Sequence, residues 1–120
     1  MDHLALPVRD VQRSRAFYEK YFGFDAGRPQ DYPEGALALR NAEGFDLALM
    51  PAKGKPQAPA GLHFGIRFVG ARRVYDLEQR LVGDGVPIVE TVDDPGYVSV
   101  KCQDPDGYVV EAYWEPARRA

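Results

Sequence analysis

Apolar residues along this chain fall into alternating and helical runs that occur twice, in the same order. Leu4, Leu6 and Val8 alternate with His3, Ala5, Pro7 and Arg9, the period of a half-buried strand. Val11, Ser14, Phe17, Tyr18, Tyr21 and Phe22 then recur at helical spacing. Asp10 is placed to cap that helix and Gly23 to stop it. Leu37 to Arg40 and Phe45 to Met50 predict a hairpin turning between Asn41 and Gly44, and residues 24–27 read as a short additional strand. In the second half, residues 62–69 alternate again. Val74, Leu77, Glu78, Leu81 and Val82 predict a helix ending near Gly83-Asp84-Gly85. A short strand at 87–91 follows. Tyr97 to Cys102 and Tyr108 to Trp114 then form a hairpin around Gln103-Asp104-Pro105-Asp106-Gly107, a strong turn sequence. Residues 40–45 match 103–108. The expected architecture is α+β: two βαβββ modules, each with a mixed sheet and one helix. Module 1 covers 1–52, a Pro-, Ala-, Gly- and Lys-rich linker 53–61, module 2 62–116, and a tail 117–120.

Alternation also divides each strand between two faces. Leu4, Leu6, Val8, Leu37, Leu39, Leu47, Leu49, Phe64, Ile66, Phe68, Val98, Val100, Cys102, Val110, Ala112 and Trp114 share an apolar face that should meet the helices. The opposite face carries His3, Arg40, Asp46, His63, Arg67, Tyr97, Ser99, Lys101, Glu111 and Tyr113, with Ala5, Ala38, Ala48 and Gly65 between them. Small residues leave room there, and polar ones give something to bind. Such a face on a curved sheet reads as a ligand cup.

Length, charge and cysteine usage narrow the classes. At 120 residues the chain is one domain by length, and half of it would be marginal alone. A net charge of -3 gives no nucleic-acid footprint. No apolar run approaches a membrane span, and the N-terminus lacks a signal-peptide layout. The single cysteine excludes an internal disulfide and fits the reducing cytoplasm. Asp104 and Asp106 read as turn formers.

The chain has 2 histidines, and both open the first strand of a module. A random second histidine would land on the matching position roughly once in a hundred. Imidazole is the commonest metal ligand, so a pair placed by an internal repeat points to a shared centre.

These residues resemble the vicinal oxygen chelate superfamily, which includes glyoxalase I, fosfomycin-resistance transferases, extradiol dioxygenases, methylmalonyl-CoA epimerase and bleomycin-resistance proteins. The carriers are the His3 strand, Ser14-Arg15-Ala16-Phe17-Tyr18 through Phe22-Gly23-Phe24, the His63-Phe64-Gly65-Ile66 strand, and Asp104-Pro105-Asp106-Gly107-Tyr108-Val109-Val110-Glu111. The resemblance implies metal ligation by His3, His63 and Glu111. Gly107 aligns with Gly44, so Glu111 aligns with Ala48, and alanine cannot ligate. The implied set of two imidazoles and one carboxylate suits Fe, Mn, Co, Ni or Zn, with positions left for water or substrate. Such an ion could hold adjacent substrate oxygens and stabilise negative charge. The missing fourth ligand disfavours glyoxalase and epimerase chemistry. A dioxygenase would need Tyr113, Tyr97 or Lys101 as its acid/base group. Lys101 and Ala5 stand where the fosfomycin enzymes carry a Tyr and a Thr.

Arg40, Arg67 and Lys101 on the cup face favour an anionic or oxygen-rich small molecule. Tyr97, Ser99 and Tyr113 are expected to hydrogen-bond it, with Tyr113 and Lys101 as catalytic groups. The other reading of Arg40 and Arg67 is that they reach past the rim into water. The competing function is a metal-free, antibiotic-sequestering protein of the bleomycin-resistance type. The many apolar and aromatic side chains, including Trp114, Tyr113 and Phe45, suggest a homodimer; the site would be built by modules of one chain or across the dimer. Neither nucleic acid nor membrane is an expected partner.

Overall fold

The computed structural model describes residues 2–27 and 35–117. The chain divides into two compact units, residues 1–58 and 59–120, and the division lies inside the expected linker. These units are referred to below as modules 1 and 2. No helix among the described residues is long and apolar enough to cross a membrane.

Module 1 runs β1 (His3–Val8), α1 (Val11–Phe22), β2 (Leu37–Arg40) and β3 (Asp46–Pro51). Asp10 caps α1 as its sequence promised: its side chain accepts from the Arg13 backbone N–H at 3.1 Å. Gly23 ends the helix in the left-handed region, at φ 71°. The helical crossover brings the chain back so that β1 runs parallel to β3, while the short β2–β3 hairpin pairs antiparallel. The sheet order is β1-β3-β2. Pro7 has no N–H to offer a ladder, and β1, as an end strand of this sheet, tolerates it. The extra strand expected at 24–27 is reduced to one bridge, Asp25 with Arg40.

Module 2 runs β4 (His63–Arg67), α2 (Ala71–Gly83), β5 (Ile88–Asp94), β6 (Tyr97–Gln103) and β7 (Val109–Trp114). Its sheet order is β4-β7-β6-β5, with β4 parallel to β7 and the rest antiparallel. β5 extends past the expected end at residue 91, because the turn at Pro95-Gly96 lets Asp94 pair with Tyr97.

The fold is thus α+β with two open mixed sheets and one helix in each module. The apolar strand face is the buried one: Leu39, Leu47, Leu49, Val100, Cys102, Val110 and Ala112 are fully inaccessible, whereas Leu4, Leu37, Phe64, Phe68 and Trp114, expected on the same face, are only partly covered. In module 1, α1 adds Phe17, Tyr18, Tyr21 and Phe22, with Phe17 edge-on to Tyr18 and Tyr21 at 5.1 Å. In module 2, α2 adds Val74, Leu77 and Leu81, while Val82 turns outward.

The final hairpin of each module has the same turn. Asn41 Oδ1 accepts from the backbone N–H groups of Glu43 and Phe45; Asp104 Oδ1 accepts from those of Asp106 and Tyr108. Gly44 and Gly107 take φ of 81° and 88°, where a side chain would be strained. This turn fixes the hairpin register, and the register places the site.

Candidate functional site

The β6–β7 hairpin puts Lys101 opposite Glu111 and Ser99 opposite Tyr113, and the parallel β4–β7 pair puts Gly65 on the other side of Glu111. Glu111 therefore stands mid-strand on the polar face, yet it is only 7% exposed. A buried carboxylate needs partners. Its Oε2 accepts from the Tyr97 hydroxyl at 2.6 Å and from the Ser99 hydroxyl at 2.5 Å, the lengths of charge-assisted bonds. Burial and the Glu111 carboxylate together hold the Tyr97 phenol well above its usual pKa, so it remains a donor.

The other oxygen, Oε1, points to His63 Nε2 at 3.6 Å, too long for a hydrogen bond. The far ring nitrogen, Nδ1, lies 3.3 Å from the Gly61 carbonyl oxygen. A carbonyl only accepts, so Nδ1 carries a proton. In the neutral ring that leaves the Nε2 lone pair facing Oε1. Two lone pairs facing each other share a need for a cation between them, either a proton on Nε2 or a metal ion. A metal binds each such donor at about 2.0–2.2 Å, which a 3.6 Å separation accommodates. The Nδ1 contact to a backbone carbonyl is the usual orienting partner of a ligating imidazole.

Glycine leaves space beside this pair. A Cβ on Gly65 would lie 3.1 Å from the Tyr113 ring and 3.5 Å from Glu111 Oε1. Tyr113 uses that room to stack on Tyr97, with centroids 5.9 Å apart and planes 20° from parallel. The Tyr113 hydroxyl has no hydrogen-bond partner among the described residues.

Of the three expected metal ligands, module 2 therefore holds two together. His3 lies in module 1, exposed, on β1 opposite Asp46, with Nδ1 3.0 Å from Asp2 Oδ1. That contact holds the Asp2 carboxyl below its usual pKa. Among the described residues, no group of three His, Cys, Asp or Glu side chains is gathered to hold a metal.

The cations expected to face a ligand each have an internal acidic or carbonyl partner. Lys101 Nζ reaches Glu90 on β5 at 3.0 Å. Arg67 donates to the Glu115 carbonyl at 2.6 Å. Arg40 makes a fork-to-fork pair with Asp46, at 2.7 and 3.0 Å. Ser99 and Tyr97, expected to serve the ligand, donate to Glu111. That role was discoverable from the Asp104–Gly107 turn, which sets Lys101 opposite Glu111 and so puts Ser99 one diagonal away. The partners Glu90, Glu115 and the Gly61 carbonyl had no comparable signal.

Residues 1–112 match the family model described as Glyoxalase/Bleomycin resistance protein/Dioxygenase superfamily. The "Probable lactoylglutathione lyase" of Synechocystis sp. is 26% identical over 121 residues, covering 91% of this chain and 90% of that protein. Among solved structures, a possible glyoxalase from Bacillus cereus superposes with a TM-score of 0.78 at 29% identity, over 93% of this chain and 96% of its own. The fosfomycin resistance protein FosX from Listeria monocytogenes, complexed with Mn(II) and sulfate, gives a TM-score of 0.77 at 18% identity, over 96% of this chain and 89% of its own.

Proposed function

Because the chain belongs to the glyoxalase/bleomycin resistance protein/dioxygenase superfamily, we propose that it is a divalent-metal-dependent enzyme. Its substrate is a small oxygen-rich or anionic molecule held through adjacent oxygens, in a lyase, transferase or dioxygenase reaction. The observation that carries this reading is the facing of His63 Nε2 and Glu111 Oε1 at 3.6 Å, each oriented by a separate contact on its other side. The third ligand is His3, supplied by module 1 of the same chain or of a second copy in a homodimer. Fe, Mn, Co, Ni and Zn all accept this donor set. When bound, the ion supplies a Lewis acid for two neighbouring substrate oxygens.

The chain's own residues do the rest. Tyr113, whose hydroxyl is uncommitted, exchanges a proton with the substrate. Lys101 and Arg67 exchange their internal partners for an anionic substrate group, and Arg40 stays with Asp46 at the margin. Names among the relatives support a metal-dependent enzyme at this coarse level: one is called a probable lactoylglutathione lyase, a chemistry that Ala48 disfavours here, and another was solved with Mn(II).

Elemental analysis of protein purified without chelator tests the reading. One equivalent of transition metal per chain is expected, reduced in His3→Ala, His63→Ala and Glu111→Ala. A metal-free protein that takes up no Mn, Co, Ni or Zn in titration overturns it. The absence of a three-ligand group among the described residues favours a second reading, a metal-free sequestering protein. Tight binding of an aromatic or cationic compound by metal-free protein would establish that one. Sedimentation showing only a monomer would remove the homodimer.

A further inference from the structure

The Glu111 carboxylate is used unevenly. Oε2 accepts two hydroxyl bonds, from Tyr97 at 2.6 Å and Ser99 at 2.5 Å, which occupy both of its lone-pair directions. Oε1 keeps both of its own and faces only the His63 ring. Both hydroxyls are fixed from behind. Ser99 is 2% exposed on the central part of β6, and the Tyr97 ring is stacked on Tyr113, which rests over Gly65. The carboxylate cannot turn to present both oxygens without breaking these bonds.

We infer that Tyr97 and Ser99 are positioning residues that restrict Glu111 to ligation through one oxygen, and thereby set which ions the site takes. The inference rests on the metal-binding reading above. Single-oxygen ligation beside an imidazole suits zinc, cobalt, nickel and manganese. Calcium, which takes six to eight oxygens and often both of a carboxylate, is excluded. The hydroxyls touch neither the ion nor the substrate; they act through Glu111.

The experiment compares the wild-type protein with Tyr97→Phe/Ser99→Ala and with Ser99→Thr, which retains the hydroxyl. Calorimetric titration with zinc and calcium is read together with the visible absorption of the cobalt(II) form. Removing both hydroxyls is expected to weaken zinc binding about 10- to 100-fold, the usual effect of losing an orienting partner. Freed to bind through both oxygens, Glu111 raises the coordination number, so the cobalt absorption loses intensity and the zinc-to-calcium preference narrows. Ser99→Thr keeps the wild-type spectrum. A double variant with native circular dichroism, wild-type zinc affinity and an unchanged cobalt spectrum overturns the inference and leaves the metal reading standing. Wild-type protein that binds no metal sinks both. If the double variant does not fold, Tyr97→Phe alone decides, since it keeps the ring stack: an unchanged spectrum and affinity refute the role.

Discussion

Modules 1 and 2 pair their outer and final strands in the same register. Ala5 lies opposite Ala48 where Gly65 lies opposite Glu111, and His3 lies opposite Asp46 where His63 lies opposite Val109. Behind the sheets both bury an apolar face. In front, module 1 carries small alanines and an Arg40–Asp46 pair, whereas module 2 carries a buried carboxylate with two hydroxyls donated to it. Packing constrains the back face, where any change of volume is felt. The front face is free to differ, and module 2 buries a carboxylate there while Asp46 of module 1 stays partly exposed. The same backbone therefore carries alanines and an exposed ion pair in one module and a buried carboxylate facing an imidazole in the other.

The largest effects should be those that ignore this difference. Leu39 in module 1 and Leu81 in module 2 are both fully inaccessible. Leu39→Ala and Leu81→Ala are each expected to lower unfolding free energy by about 2–5 kcal/mol in urea titrations. A loss of less than about 1 kcal/mol at either position would show that the two cores are not equally packed.

Next come the matched front-face positions, where the modules should part. Glu111→Ala leaves the buried Ser99 hydroxyl and the half-buried Tyr97 hydroxyl without their acceptor, an expected loss of about 1–3 kcal/mol in metal-free protein. Ala48→Ser, at the equivalent place, should stay within about 0.5 kcal/mol. Equal losses at both would mean that Glu111 is a site residue without structural partners, against the geometry. Metal affinity should fall steeply in Glu111→Ala and be untouched in Ala48→Ser.

A subtler contrast lies across the strand. Module 1 has Ala5 where module 2 has Gly65. Gly65→Ala should gain about 0.4–1 kcal/mol from restricting the unfolded chain. Crowding at 3.1 Å against Tyr113 offsets this by about 1 kcal/mol, so net stability barely moves. What should change is the Tyr97–Tyr113 stack, read in near-ultraviolet circular dichroism, and with it metal affinity. Ala5→Gly should alter neither. An unaltered aromatic spectrum in Gly65→Ala would show that the ring has room to spare.

Much of this was legible in the residues. Asp10, Gly23 and the Asp104–Gly107 turn announce themselves because caps and turns are local. The back face was readable because alternation maps directly onto burial. Resemblance and the internal repeat put His3, His63 and Glu111 at one expected centre; His63 and Glu111 face each other at 3.6 Å, while His3 lies in module 1. What the chain could not announce were partners chosen only in the folded backbone: Lys101 with Glu90, Arg67 with Glu115, and His63 with the Gly61 carbonyl two residues back. Residues read singly as ligand-facing cations are, in the fold, matched with internal acceptors. The expected strand at 24–27 shrank because only Asp25 finds a ladder partner there.

The smallest effect is invisible at neutral pH and again separates the modules. Cys102 occupies the position on β6 that Leu39 occupies on β2, and both are fully inaccessible. Burial, and then the nearby Asp104 carboxylate, push the Cys102 thiol from the ordinary 9.0 up to about 12. The folded protein therefore keeps this proton over a range in which the unfolded chain gives it up. Below pH 9 both states are protonated and the thiol's contribution is complete. As pH climbs from 9 toward 12, the unfolded state is increasingly favoured and stability falls. Tyr97 and Tyr108, whose phenols are also held up, add to the fall above pH 10. Thermal unfolding followed from pH 8 to 11 should show a declining midpoint. Cys102→Ala should lower the midpoint at pH 8 through the lost packing yet flatten the decline above pH 9. A variant whose alkaline slope matches wild type would place the lability elsewhere than at this core position, and would remove one of the differences between two otherwise parallel cores.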